Sequence, residues 1–278
     1  MASKITLNSG IALVTGSASG IGKETALAFA EAGVRGVVFA DINDQAAEEA
    51  AEESRKYAKN SEYRAIVVKV DISDEGSVQS MVEMTVKEFG RIDYAVNSAG
   101  ISNLSSAITP DLELDIFSRT VDINIKGAVI FIRAVTAAMA KQEPLSYTSR
   151  HGTRSLGRGS IIILGSVNSH VAVPRMLSYT TSKHAIIGIA KSAAIDCLQS
   201  HIRVNTVCPS WVDTPMIEAS LQRVPQLGQL IQAVSPLKRA ATVEEVADYI
   251  VFLCSPSASY INGTNLIIDA GATLTAHV

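Results

Sequence analysis

Short apolar runs and longer stretches of helical periodicity alternate along this chain. Residues 11–14, 37–40, 65–70, 93–96, 160–164, 202–207 and 265–268 are brief and mostly apolar, which predicts buried strands. Between them, residues 46–57, 78–89, 112–139, 178–198 and 243–254 carry apolar positions at helical spacing, and a further helix follows residue 22 with Ala26, Leu27 and Ala30 among its apolar members. The alternation predicts one α/β domain over residues 1–278. Helix 178–198 is apolar or small almost all round, so one side covers a sheet and another is free for a second subunit: a homo-oligomer, tetramer or dimer, is expected.

Two segments depart from the rhythm. Residues 144–159 hold Arg150, His151, Arg154 and Arg158 among Ser, Thr and Gly, without apolar periodicity. They predict a polar surface loop, mobile at least in part, with a basic lid over a ligand as the alternative. Residues 214–238 are rich in Met, Leu, Ile and Pro, and predict a helical flap that closes over a ligand or packs on the domain body.

The first strand runs into Thr15-Gly16-x-x-x-Gly20-x-Gly22, and the second ends on Asp41. A strand turning abruptly into a helix leaves free N–H groups and the positive end of the helix dipole at the turn, a place for a pyrophosphate. Glycines let the ligand approach the backbone and let helix pack on strand; packing alone is the plainer account of them. Asp41 stands where a ribose hydroxyl would bind. Asp71 closes the third strand, either toward an adenine amino group or as a cap for the helix starting near Asp74. Asn97-Ser98-Ala99-Gly100 forms a second glycine turn after a strand. Asn124, inside an apolar helical stretch, must find polar partners, either local or in a site.

Composition narrows the class. Hydrophobic residues make up 47% and charged ones 18%, which excludes a largely disordered chain, and a net charge of −3 gives no reason to expect nucleic acid or an anionic membrane as partner. No apolar run reaches membrane-spanning length, and residues 1–9 lack the core of a signal peptide. Cys197, Cys208 and Cys254 are widely spaced without a metal-ligand pattern and read as free thiols in a reducing, cytoplasmic setting. The acceptor patterns at Asn103-Leu-Ser105 and Asn262-Gly-Thr264 carry no meaning without secretion.

Tyr179 and Lys183 lie four residues apart on one helix face, and Ser166 ends the preceding strand. An ammonium beside a phenol favours phenolate, so a lowered Tyr179 pKa and proton exchange near neutrality are expected.

Together these motifs, with Pro209-Ser210-Trp211-Val212-Asp213-Thr214, resemble the classical short-chain dehydrogenase/reductase family from about Ser9 to the end of the chain. The resemblance implies a single-domain Rossmann fold, a seven-stranded parallel sheet of order 3-2-1-4-5-6-7 with helices on both faces. It implies Tyr179 as general acid/base, Lys183 on the nicotinamide ribose, Ser166 on the substrate oxygen and Asn124 as anchor of a water leading to Lys183. It implies a dinucleotide held by Gly16, Ser17, Ser19, Gly20, Ile21, Gly22, Asp41, Ile42, Asp71, Ile72, Asn97, Ala99, Gly100, Tyr179, Lys183, Pro209, Val212 and Thr214. Asp41 would repel a 2′-phosphate and Ile42, Asn43 and Ser17 offer no compensating charge, which favours NAD over NADP; nearby Arg35 argues the other way.

Two features depart from the family. Ser210 replaces the glycine that usually follows the proline of the sixth strand, and segment 144–159 is longer than the compact connection, resembling fungal members, some of secondary metabolism. Substrate contacts are expected from segments 101–109, 167–177 and 214–238, with Ser166, His170, Tyr179, Trp211 and Met216 the candidates; His170 is equally readable as a solvated or structural residue. An NAD-dependent alcohol/ketone oxidoreductase for a largely apolar small molecule is the function expected, with non-redox cyclisation or isomerisation, or a regulatory nucleotide-binding module, as the alternative.

Overall fold

The computed structural model describes residues 6, 7, 9–102 and 107–274. Positions 103–106 of the expected substrate segment, with the acceptor pattern at Asn103, lie outside the described residues, as do most of residues 1–9. Nine strands are present among the described residues: β1 (Ile11–Thr15), β2 (Gly36–Asp41), β3 (Arg64–Lys69), β4 (Tyr94–Asn97), β5 (Leu145–Ser149), β6 (Gly152–Gly157), β7 (Gly159–Leu164), β8 (Ile202–Pro209) and β9 (Asn265–Ile268). The helices are α1 (Gly20–Ala32), α2 (Asp44–Ser54), α3 (Glu75–Phe89), α4 (Leu114–Thr120), α5 (Gly127–Met139), α6 (Leu177–Asp196), α7 (Pro215–Arg223), α8 (Leu227–Val234) and α9 (Val243–Cys254).

Seven strands form one parallel sheet in the order β3-β2-β1-β4-β7-β8-β9. With β5 and β6 set apart, this is the expected order 3-2-1-4-5-6-7. The period-two geometry of a strand explains how one short run serves two cores: Ile11 and Leu13 of β1 pack with α3, α5 and α6, while Ala12 and Val14 pack with α1, α2 and α9. Phe29, Phe39 and Phe131 are fully buried, each contributing roughly 1.5–3 kcal/mol. The helices are closed by local chemistry. Asp74 Oδ1 accepts from Ser77 N at 2.6 Å at the start of α3, and Thr242 with Glu245 forms a capping box on α9. Asp71 is thus not the cap of α3.

Segment 144–159 is not a loop. β5 and β6 pair as an antiparallel hairpin, with Thr148 and Thr153 hydroxyls 2.9 Å apart and the Arg154 guanidinium 4.9 Å over the Tyr147 ring. Its strands escape the pattern reading because both faces are largely exposed, so backbone pairing and cross-strand contacts replace apolar alternation. Nor is it a lid over the strands' C-terminal edge. Arg158 N donates to His201 O at 2.8 Å and Arg154 to Pro256 O at 2.9 Å, which places the hairpin at the sheet's N-terminal edge, beside the starts of β7 and β8.

The helical stretch 112–139 is interrupted. Residues Val121–Lys126 form a π-helical turn between α4 and α5, with Gly127 N donating to Asp122 O. A π-turn inserts a residue into the helix and rotates its faces, and the turn carries Asn124. The flap segment holds two short helices, α7 and α8.

Candidate active site

The site lies at the C-terminal edge of the sheet, where β1, β3, β4, β7 and β8 end. Thr15 Oγ1 donates to Asn97 Oδ1 at 2.8 Å and ties the ends of β1 and β4 together. At the glycine turn that follows, a Cβ on Gly16 would sit 2.7 Å from Ala99 N, and one on Gly22 only 2.1 Å from Gly16 O. Gly16 also has φ +68, a conformation that side chains disfavour. A side chain at either position would collide with backbone, so the turn can close this tightly only with glycine.

That cleft has a volume of about 400 Å³, within the usual range for small-molecule sites. Gly16, Ser19, Gly20, Ile21, Asp41, Ile42, Asp71, Ile72, Ala99, Gly100, Thr214 and Met216 line it, all of them expected from the sequence. Asp41 accepts Ala18 N at 3.0 Å and Asn43 N at 2.9 Å, so backbone amides fix the carboxylate at the end of β2. Asp71 accepts the amide and hydroxyl of Ser73 at 2.9 and 2.6 Å, which hold its pKa below the usual carboxylate value. Thr214 caps α7, and its methyl lies 3.3 Å from where a Gly20 Cβ would be, bringing the start of segment 214–238 to the glycine turn.

Several expected residues support the cleft without lining it. Ser17 is buried with its hydroxyl 3.3 Å from Ala40 O, Gly22 packs under the turn, and Asn97 is engaged by Thr15. Pro209 closes β8, and Val212 is buried beside Ala241. Ile101 and Pro215 line the cleft from two of the expected substrate segments and Ser98 from the second glycine turn, whereas Val70, Arg119 and Ile123 line it without being expected from the sequence. Val70 immediately precedes Asp71 at the end of the third strand, a signal that points to the cleft. Arg119 and Ile123 sit on a helix face whose spacing reads only as amphipathic.

Beyond Gly100 lies the second cluster. Ser166 follows β7 and starts a 3-10 turn, Val167–Ser169, with its hydroxyl accepting from Asn168 N at 3.2 Å. The Tyr179 hydroxyl is enclosed and hydrogen-bonded to Ser166. Lys183 is buried, its Nζ donates to Leu164 O at 2.8 Å, and it lies 5.6 Å from the Tyr179 ring centroid. Asn124 Oδ1 accepts Ile101 N at 2.9 Å, while its Nδ2 donates to Ile101 O at 3.0 Å and Ser182 Oγ at 3.1 Å. The polar partners that a buried Asn requires are therefore the loop after β4 and the helix bearing Tyr179.

The expected lowering of the Tyr179 pKa is corrected by this geometry. Burial raises it above the ordinary phenol value, only partly opposed by the Ser166 hydrogen bond, because a phenolate here would lose its hydration. The same burial brings Lys183 down to about 8. His170 is exposed, away from the cleft lining, with its pKa lowered by partial burial and then by His184 and Lys191. Trp211 is half-buried, its carbonyl accepting from Ala241 N.

Residues 16–273 match the family described as Enoyl-(Acyl carrier protein) reductase. The chain is 45% identical to "Short-chain dehydrogenase srdC" of Neurospora crassa, covering 97% of this chain and 98% of that protein. It is 35% identical to 2-(R)-hydroxypropyl-CoM dehydrogenase of Xanthobacter autotrophicus, covering 95% and 98% of the two chains. Among solved structures, levodione reductase superposes with a TM-score of 0.85 at 29% identity, covering 96% of this chain and 98% of that one. Fold, motif order and sequence agree: the chain belongs to the classical short-chain dehydrogenase/reductase family of oxidoreductases.

Proposed function

We propose that the protein interconverts a secondary alcohol and a ketone on a largely apolar small molecule, with NAD as cofactor. The observation that carries this reading is the hydroxyl of Tyr179 joined to Ser166, with Lys183 beside the ring, next to a cleft shaped by glycine backbone.

The cleft suits a dinucleotide: at Gly16 and Gly22 a Cβ would collide with backbone, and Asp41 presents a fixed carboxylate at the rim. Gly16, Ser19, Gly20 and Ile21 would hold a pyrophosphate, Asp41 the adenosine ribose, and Lys183 the nicotinamide ribose. When bound, the cofactor supplies or accepts the hydride. The chain's own residues do the rest. Ser166 and Tyr179 hydrogen-bond the substrate oxygen. Tyr179, kept protonated by burial, donates its phenolic proton to the oxygen in the reductive direction and takes one back in the oxidative direction. Lys183 contributes positive charge that stabilises a phenolate, and Asn124 fixes Ile101 and Ser182 on either side.

Asp41 supports NAD, since its carboxylate would repel a 2′-phosphate, and exposed Ile42 adds no charge against that repulsion. The names of two relatives support the reaction type, one a dehydrogenase of a hydroxypropyl compound and the other a reductase of a dione. A role in fungal secondary metabolism belongs to the same reading, and the likeness to fungal short-chain dehydrogenases at 45–46% identity supports its fungal part. Apolar Met216, Leu230 and Leu237 near the flap, partly exposed, support an apolar substrate. Exposed Val129, Ile195 and Leu198 support a homodimer or homotetramer. Free cysteines fit a cytoplasmic setting, and among the described residues no helix is long and apolar enough to cross a membrane.

A panel of secondary alcohols and ketones with NAD(H), followed by nicotinamide absorbance, tests the reading. Tyr179→Phe is expected to lose turnover by several orders of magnitude while keeping cofactor affinity. Undiminished turnover in that variant would overturn it.

A further inference from the structure

One wall of the cleft carries a cation to which neither the sequence motifs nor the chemistry above gives a role. Gly127 abuts the end of the third strand's loop: a Cβ there would lie 3.1 Å from both Cγ2 and O of Ile72. From that contact the helical segment runs back past Ile123 to Arg119, and both residues line the cleft together with Asp71 and Ile72. Arg119 is exposed, and among the described residues no hydrogen bond, ion pair or ring contact holds it. The cleft's two carboxylates accept from other groups and make no ion pair with Arg119 among the described residues: Asp41 accepts the amides of Ala18 and Asn43, and Asp71 accepts from Ser73.

A stretch of cleft lining that combines Ile72 and Ile123 with an unpaired guanidinium suits a planar aromatic ring. The ring packs on the aliphatic side chains, and the guanidinium stacks on its outer face.

We infer that Arg119 is a specificity-determining residue for the adenine end of the cofactor, closing over the purine with Ile72 and Ile123 beneath it. The inference rests on the nucleotide reading of the cleft.

Calorimetric titration of AMP, ADP-ribose and nicotinamide mononucleotide into the full-length wild type, Arg119→Ala and Arg119→Lys tests it. Since Arg119 is exposed, the variants should melt with the wild type. Arg119→Ala is expected to weaken AMP and ADP-ribose by roughly five- to thirty-fold, with little change at higher ionic strength, and to leave the mononucleotide unaffected. Arg119→Lys should fall between. Equal AMP affinity in wild type and Arg119→Ala would overturn the inference, as would a loss shared by the mononucleotide or abolished by salt, which marks a phosphate contact. A wild type that binds none of the three ligands would instead remove the nucleotide reading itself, and the inference with it.

Discussion

Lys183 Nζ donates to the carbonyl of Leu164 at 2.8 Å, fastening the helix that bears Tyr179 to the last residue of the strand that leads into Ser166. One buried hydrogen bond thus couples the two elements that carry the proposed reacting groups. It also holds a cation where water is scarce, and burial brings Lys183 down to about 8.

That arrangement predicts a stability gain from removing the lysine. With a folded pKa below the unfolded one, the folded state disfavours the charged form. The penalty is present in full below about pH 8 and fades as pH rises toward the unfolded value of 10.5. Lys183→Met should therefore stabilise the cofactor-free protein by on the order of 2 kcal/mol at pH 7, after allowing for the lost bond to Leu164, and by much less at pH 10. Chemical denaturation at the two pH values measures it. Equal effects at both would show that Lys183 is not destabilised by burial.

The raised pKa of Tyr179 makes a second prediction, about the free protein. Ultraviolet difference titration of wild type against Tyr179→Phe should show no phenolate from this residue at pH 10, because burial outweighs the Ser166 hydrogen bond. In turnover, alcohol oxidation should rise with pH through the alkaline range, since the phenol must first lose its proton, whereas ketone reduction should not. A phenolate signal near neutrality without cofactor would contradict the burial argument.

At the second strand's end, Asp41 and Ile42 set the expected coenzyme preference. Asp41→Ser with Ile42→Arg removes the repelling charge and adds a phosphate partner at an exposed position. The ratio of kcat/KM for NADP over NAD should rise by about 100-fold or more, allowing about 3 kcal/mol for the charge reversal. Steady-state kinetics with both coenzymes decides it, and an unchanged ratio would remove Asp41 from its assigned place.

Gly22 makes the sharpest steric prediction. A methyl there meets Gly16 O at 2.1 Å, backbone against backbone, with no flexible side chain to yield. Gly22→Ala should cost more than about 3 kcal/mol or prevent folding, far beyond a helix-propensity effect, which for this substitution is favourable. Thermal melting is the measurement.

Asn124→Ala tests the clamp on Ile101. Removing the amide strands the Ile101 N–H and carbonyl, while the Ser182 hydroxyl keeps its own bond to Tyr179 O at 2.8 Å, an expected loss of about 2–4 kcal/mol. Hydrogen exchange should show the Ile101 amide deprotected more than those of β4. Unchanged protection would mean that water replaces the clamp without consequence.

The sequence by itself determined the strand–helix alternation, the order of the motifs and the family. Buried strands and glycine turns leave local signatures: period two with β-branched residues, and backbone positions where a side chain has no room. Ile11–Thr15 followed by Gly16, Gly20 and Gly22 was legible for that reason. What only the tertiary structure decided concerns groups whose neighbours lie far along the chain. The hairpin of β5 and β6 is held by cross-strand pairing and by His201 and Pro256, none of it periodic. The direction of the Tyr179 pKa does not follow from Lys183 one turn away, because desolvation depends on all that encloses the hydroxyl. Arg119 reads in sequence as one more exposed helix arginine; its place on the cleft follows from the packing of Gly127 on Ile72, and contacts of that kind are set by the whole fold.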